Sequence, residues 1–170
     1  MSPVKKLLFI LISFFIGITI GTLLVIKYEN STFKPWAWKD PPIVVNCYGD
    51  DFNELYVIRG VDYWTMRNHN FAFIEQNPPK EVCKLDKIDG FIMLKKRRVD
   101  SGDGTLAVTR REVVLGEIRN VVIFFNPGAF KLDNIIEHEL GHALGYQHVD
   151  IEGHIMHPTY DKMGDKFWVP

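Results

Sequence analysis

The chain has 170 residues, a length typical of a single domain. Its 20 Lys and Arg residues nearly balance 21 Asp and Glu residues, which leaves a formal net charge of -1. So small a net charge argues against a nucleic-acid partner, because proteins that bind a phosphate backbone usually present a basic surface. The hydrophobic content of 46% is ordinary for a globular chain that also carries an apolar terminal segment.

An uncharged, apolar stretch near the N-terminus, residues 7–26, is long enough to span a membrane. As a helix it would cover about 30 Å, the thickness of a bilayer's hydrocarbon core. A signal peptide has a shorter apolar region and a small-residue cleavage site. We therefore predict an uncleaved signal anchor rather than a cleaved signal peptide, which would leave the protein secreted, or a buried helix. Lys5 and Lys6 precede the stretch, so residues 1–6 are predicted to be cytoplasmic and the rest of the chain extracytoplasmic.

The remainder divides into a predicted linker, residues 27–42, and a folded domain, residues 43–170. The linker is rich in proline and tryptophan, and its tryptophans either rest at the membrane interface or cover an edge of the domain. The chain has two cysteines, Cys47 and Cys83. An oxidising extracytoplasmic space would allow them to form a disulfide, and two buried free thiols are the alternative.

Strand-like and helical runs within the domain predict an α+β fold, with a mixed, twisted sheet packed on two main helices. One helix is predicted over residues 52–66, where Gly60 is unfavourable. A last helix is predicted to begin near Leu132 or Asp133, with Asp133 as its N-cap. Strands are predicted at residues 43–48, 71–75, 90–94, 106–109 and 120–125.

The motif H-E-x-x-H-x-x-G-x-x-H begins at His138 and predicts a zinc site. His142 lies four residues after His138, on the same helix face, so both can bind one ion. His148 can join them only if the helix stops, and Gly145 can take the left-handed conformation that ends a helix. Three imidazoles leave zinc a fourth position for water, whose pKa the ion lowers towards about 7. Glu139 can reach that water as a general base without binding the ion.

Eight residues after the last histidine, Met156 opens the pattern Met-x-Pro-x-Tyr. Together with the zinc motif, this resembles the Met-turn of the metzincins, and most closely their matrixin branch. The resemblance implies a metzincin-like zincin catalytic domain with an active-site helix and a Met-turn. It also implies that Pro158 and Tyr160 line the pocket for the side chain just after the cut. Leu106 and Ala107 are similar to the matrixin edge strand, along which substrate lies antiparallel.

The chain departs from the matrixin pattern in several places. No cysteine-containing propeptide motif is present, and only 14 residues follow Met156, so the usual C-terminal helix is predicted to be shortened or missing. Residues 100–104 lack the ligand series of a calcium loop, which leaves a structural calcium ion without support. His154 and His157 are predicted to be solvated turn residues, with substrate contact as the alternative. Asp150 could orient one of the ligand imidazoles.

These patterns predict a membrane-anchored, zinc-dependent endopeptidase with one catalytic zinc ion and a peptide or protein substrate. Two alternatives stay open: a peptidase of cell-wall cross-bridges, and an inactive, zinc-bound binding protein on a membrane. The intact general base, Glu139, argues against the inactive protein. The sequence does not indicate an oligomeric state.

Overall fold

The computed structural model describes residues 34–96 and 104–169. Within them the chain forms a sheet of six strands. The strands are β1 Ala37–Trp38, β2 Ile43–Cys47, β3 Ile74–Glu75, β4 Phe91–Lys96, β5 Ala107–Val114 and β6 Glu117–Phe125. The helices are α1 Glu54–Thr65, α2 Lys80–Lys84 and α3 Ile135–Ala143. Single turns of 3-10 helix lie at Ala129–Lys131 and Tyr160–Lys162.

The sheet is mixed, as predicted. Its order is β1-β6-β4-β2-β3, and β5 also pairs with β6. Strand β4 runs parallel to both β2 and β6, whereas β5 and β6 form an antiparallel hairpin. In the described part of the chain β5 pairs only with β6, so its other side is an open edge of the sheet. An open edge presents unpaired backbone groups to which an extended peptide can add.

Helices α1 and α3 pack against each other over the face of the sheet that carries the core. Alternate residues of β4 and β6 enter this core, among them Ile92, Leu94 and Ile123. The two helices approach closely at Gly60, where an added Cβ would lie 2.5 Å from Cγ2 of Ile136. The glycine that was unfavourable for a helix is thus needed for helix packing.

The disulfide alternative for the two cysteines is confirmed. Cys47, at the end of β2, is bonded to Cys83 in α2, with their Cα atoms 5.3 Å apart. Helix α2 itself was not predicted, because five residues are too few to show a helical period.

Several predicted boundaries were wrong. The 71–75 strand is limited to two residues, Ile74–Glu75, whereas β5 extends to Val114 through a stretch that was predicted to be a connection. Asn134, not Asp133, is the N-cap of α3, and its φ is 66°. Asp133 is instead exposed, 3.6 Å from the guanidinium of Arg59.

Part of the predicted linker belongs to the sheet. Residues 37 and 38 pair with β6, and the indole N–H of Trp38 donates to the carbonyl of Ala143 at 2.8 Å. These contacts correspond to the alternative in which the tryptophans cover an edge of the domain. The predicted anchor, residues 7–26, lies outside the described residues, and within the described ranges no helix is long and apolar enough to cross a membrane.

Candidate metal and catalytic site

Helix α3 carries the first two predicted ligands and ends immediately after the second. The N–H of Gly145 donates to the carbonyl of His142, and that of Tyr146 donates to the carbonyl of Gly141, both at 3.0 Å. Gly145 has a φ of +104°. This pair of bonds is a Schellman motif, in which a left-handed residue reverses the chain after a helix. The reversal brings His148 back beside the helix.

Gly145 is required for a second reason that the motif did not reveal. A Cβ at this position would lie 2.1 Å from the backbone carbonyl oxygen of Trp36. The segment that enters β1 therefore runs directly over the turn. A backbone atom in this position cannot swing away as the end of a flexible side chain could, so the two segments exclude any larger residue here.

The three histidines form one cluster. One ligand atom from each of His138, His142 and His148 lies within 4.8 Å of the other two. Nδ1 of His138 donates to the carbonyl of Ile155 at 2.8 Å, and Nδ1 of His142 donates to that of Tyr146 at 2.9 Å. Both rings thus carry their hydrogen on Nδ1 and direct Nε2 to the cluster, where the Nε2 atoms of His142 and His148 are 3.0 Å apart.

The protein around the cluster keeps the imidazoles neutral, which is the form that binds a metal. Burial lowers the pKa of His138 to about 4, and it lowers the pKa of His142 well below its ordinary value. The pKa of His148 is also lowered by burial and by neighbouring positive groups. Three neutral nitrogen donors directed at one point, two of them oriented by carbonyl groups, fit a zinc ion.

Met156 lies beneath the histidines and is completely buried. An added Cβ on Gly141 would lie 2.4 Å from its sulfur and 2.6 Å from a ring carbon of Trp64. The glycine between the two helical histidines thus allows the Met-turn and Trp64 to pack against the helix. The indole N–H of Trp64 also donates to the carbonyl of Glu137 at 2.7 Å. Neither Gly141 nor Trp64 was identified from the sequence. Gly141 occupies a variable position of the motif, and Trp64 is distant from the motif in the chain.

Glu139 is buried beside the cluster and held by strand β5. The hydroxyl of Thr109 donates to its carboxylate at 2.5 Å. Burial raises the pKa of Glu139 to about 7, against the opposing effects of the Thr109 hydrogen bond and the positive charge of Arg111. A carboxyl with such a pKa can both accept and return a proton near neutral pH. Neither Thr109 nor Arg111 was identified from the sequence, where Thr109 ended a predicted strand and Arg111 lay in the predicted connection after it.

A cleft of about 510 Å³ runs past the histidines and Glu139. One wall comes from the start of β5 and includes Leu106 and Ala107. The opposite wall includes Pro158 and Tyr160, which follow the Met-turn. The structure thus brings together all four predicted substrate residues, and each of them borders the space in front of the histidines.

The other polar residues near the turn differ from expectation. His154 and His157 were predicted to be solvated but are buried, with 0% and 2% of their surface exposed. His154 accepts a hydrogen bond from the N–H of Met156 at 3.0 Å, and it thereby holds the Met-turn. Asp150 lies 3.1 Å from Nε2 of His157, so it contacts this histidine rather than one of the three predicted ligands.

Comparison with known families decides the classification. A family model described as Matrixin matches residues 56–169, which is more than half of the chain. The chain belongs to the matrixin family. It is therefore a zinc metalloendopeptidase of the metzincin type, as the resemblance implied. A search of curated proteins found no match.

The matrixin match includes the cleft wall of β5, helix α3 and the Met-turn, and it begins within α1. Strands β1 and β2 lie before the matched range. Zinc is the metal that this family uses, and the histidine cluster of this matrixin could bind such an ion. The described residues contain no other group of three metal-binding side chains. Structural calcium remains without support.

Proposed function

We propose that the protein cleaves internal peptide bonds by attack of water, with His138, His142 and His148 as the zinc ligands and Glu139 as the general base. The observation that carries the proposal is the position of Glu139. Its carboxylate is buried next to the first histidine and is held by a hydrogen bond from Thr109. A carboxylate held by a neutral hydroxyl is available to exchange protons.

Zinc bound by the histidines would polarise the scissile carbonyl and lower the pKa of water. Glu139 would accept a proton from the attacking water and return it to the leaving amine. Thr109 would hold the carboxylate in line for both transfers. The carbonyl groups of Ile155 and Tyr146 would keep the imidazoles of His138 and His142 in their ligand orientation.

We propose that the substrate binds as an extended strand, antiparallel to the open edge of β5, past Leu106 and Ala107. Backbone hydrogen bonds along such an edge provide affinity without selecting a sequence. The side chain just after the cut would enter the space bordered by Pro158 and Tyr160. No feature of the described residues favours the cell-wall peptidase or the inactive binding protein.

Replacing the general base tests the proposal. Glu139→Gln should bind about one zinc ion per chain, as the unmutated protein does, and hydrolyse an unstructured protein at least about 100-fold more slowly. Metal analysis and a peptide-release assay measure the two properties. His142→Ala is the matched control and should lose the zinc as well as the activity. Full hydrolysis by Glu139→Gln would remove Glu139 from the mechanism, and an unmutated protein that binds no zinc would contradict the site.

We also propose that residues 7–26 anchor the chain and that the catalytic domain acts on the extracytoplasmic side of the membrane. Support comes from the length and lack of charge of this segment and from the disulfide between Cys47 and Cys83, which is typical of oxidising compartments. After alkaline extraction the full chain should stay in the membrane pellet, and a chain that starts at residue 27 should not. N-terminal sequencing that finds residues 1–26 removed would instead show a cleaved signal peptide.

A further inference from the structure

The charges that line the catalytic cleft are few and unbalanced. Among the described residues that border it, Arg111 carries the only fixed positive charge, and Glu139 is the only acidic residue. Glu139 is reserved for proton transfer in the proposed mechanism. The remaining lining residues are apolar, small or neutral, apart from the three histidines. Arg111 therefore brings a positive charge to the cleft. Apart from Glu139, no acidic residue of the described lining can neutralise it.

The guanidinium of Arg111 is held in place by the end of the active-site helix. Its Nη1 donates to the carbonyl of His142, and also to that of Tyr146 at 3.5 Å. The group also lies over the ring of Trp36, 4.6 Å from the ring centre. These contacts engage one guanidinium nitrogen and one face of the group. They leave an oriented cation with further N–H donors, which is the arrangement that binds carboxylates.

The position of Arg111 along β5 relates it to Thr109, which holds the proposed general base and therefore lies beside the scissile bond in the proposed mechanism. Thr109 and Arg111 are two residues apart on the strand, and both reach towards α3, since they contact Glu139 and His142 respectively. Their Cα atoms are therefore separated by about 6.8 Å along the strand. In an antiparallel substrate, the residue beside Arg111 precedes the residue beside Thr109 by about two positions.

We infer that Arg111 is a specificity-determining residue that selects peptides with an acidic side chain about two residues before the scissile bond. This inference rests on the proposed endopeptidase function and deepens it by naming a substrate class. The Asp or Glu of the substrate forms a charge-assisted hydrogen bond with the guanidinium. Pro158 and Tyr160 border the same cleft, where the side chain just after the cut is proposed to bind.

A set of peptides that differ at a single position tests the inference. Each peptide carries Glu, Gln or Lys at one of the three positions before the cut, and a second series carries the same changes after it. With the zinc-loaded protein, Glu two residues before the cut should raise kcat/KM about tenfold over Gln, the difference expected for one charge-assisted hydrogen bond. Lys at that position should lower kcat/KM.

Variants of two neighbouring arginines give the matched comparison. In Arg111→Gln the ratio of kcat/KM for the Glu peptide to kcat/KM for the Gln peptide should fall to about 1. Arg111→Lys should keep part of the preference for the Glu peptide, because the charge remains. Arg110 lies over the ring of Phe124 instead, 5.4 Å from the ring centre, so Arg110→Gln should retain the full preference. Circular dichroism and zinc content show whether each variant is folded.

Several results would overturn the inference. One is equal kcat/KM for the Glu and Gln peptides in the unmutated protein. The others are a preference for Glu that is retained in Arg111→Gln, or a preference for an acidic residue only at positions after the cut. If no peptide is cleaved, the proposed function fails, and binding still decides the role of Arg111. Fluorescence anisotropy of the same peptides with the zinc-loaded protein should then show tighter binding of the Glu peptide, lost in Arg111→Gln. Equal binding of the Glu and Gln peptides would contradict the inference.

Discussion

The two sides of the cleft are built in different ways. The metal side consists of His138, His142 and His148, which lie within 11 residues of one another and are positioned by one helix and the turn that ends it. The other side consists of β5, whose Thr109 and Arg111 reach α3 from about 30 residues earlier in the chain. The first side is organised mainly by local backbone geometry, to which the Trp36 carbonyl adds a distant contact, and the second by the pairing of the sheet.

This difference separates two properties of the site. Geometry around the histidines determines whether a metal binds at all. Contacts from β5 determine how the neighbouring carboxylate is held and which charges a substrate meets. Changes on the metal side should therefore abolish zinc binding and activity together, whereas changes on β5 should alter rate or selectivity and leave the zinc in place.

The largest expected effect comes from the turn on the metal side. In Gly145→Ala the new Cβ meets the Trp36 carbonyl, and the residue must keep a left-handed φ, so the turn has to shift and carry His148 away. We expect zinc affinity to fall by about 100-fold, comparable to losing a group that supports a ligand, and hydrolysis to fall with it. Titration against a competing chelator measures the affinity.

Gly128→Ala is the control for this prediction. Gly128 also has a positive φ, +83°, but an added Cβ there would have no atom within 4 Å. It should cost stability of about 1–2 kcal/mol and leave the zinc affinity unchanged. Equal losses of zinc affinity in the two variants would mean that general destabilisation of the fold, rather than displacement of His148 by the contact with Trp36, lowers the zinc affinity.

A smaller effect is expected from the β5 side. Thr109→Val keeps the shape of the side chain but removes the hydroxyl that holds Glu139. We expect kcat to fall about tenfold, within the range of general acid–base contributions, with zinc content unchanged. Thr109→Ser retains a hydroxyl and should stay within about twofold of the unmutated rate. Loss of zinc from Thr109→Val would show that the two sides of the cleft are not independent.

The features that could be predicted from the sequence lie mostly on the metal side of the cleft, and those that could not lie mostly on the β5 side. The ligand motif, its glycine and the Met-turn lie close together in the chain, and their geometry follows from helical periodicity and one left-handed residue. The N-cap of α3 was predicted one residue early, because Asp133 is a typical capping residue, whereas Asn134 takes the position with a left-handed φ and without a side-chain capping hydrogen bond. The length of β5 was underestimated because its polar side chains, such as Arg111 and Glu112, gave no apolar alternation.

Other predictions were wrong or incomplete because the features depend on contacts between distant parts of the chain. His154 and His157 looked like solvated turn residues, but their burial depends on the chain that folds back over the Met-turn, where the carbonyl of Trp168 lies 3.0 Å from His154. Trp38 was assigned to a linker, because two residues carry too little pattern to predict a strand. The disulfide was one of two open alternatives, since pairing requires a distance that spacing along the chain does not determine.

The sequence alone predicted the matrixin signature, the three candidate ligands, the candidate general base and the need for a glycine where the helix ends. These are consequences of short-range geometry, which is the same wherever the segment occurs. Only the tertiary structure decided that Thr109 holds Glu139, that Arg111 brings a charge to the cleft, and that the Trp36 carbonyl closes over Gly145. Those contacts arise from strand pairing between distant segments, and periodicity within a segment does not specify which distant residues will meet.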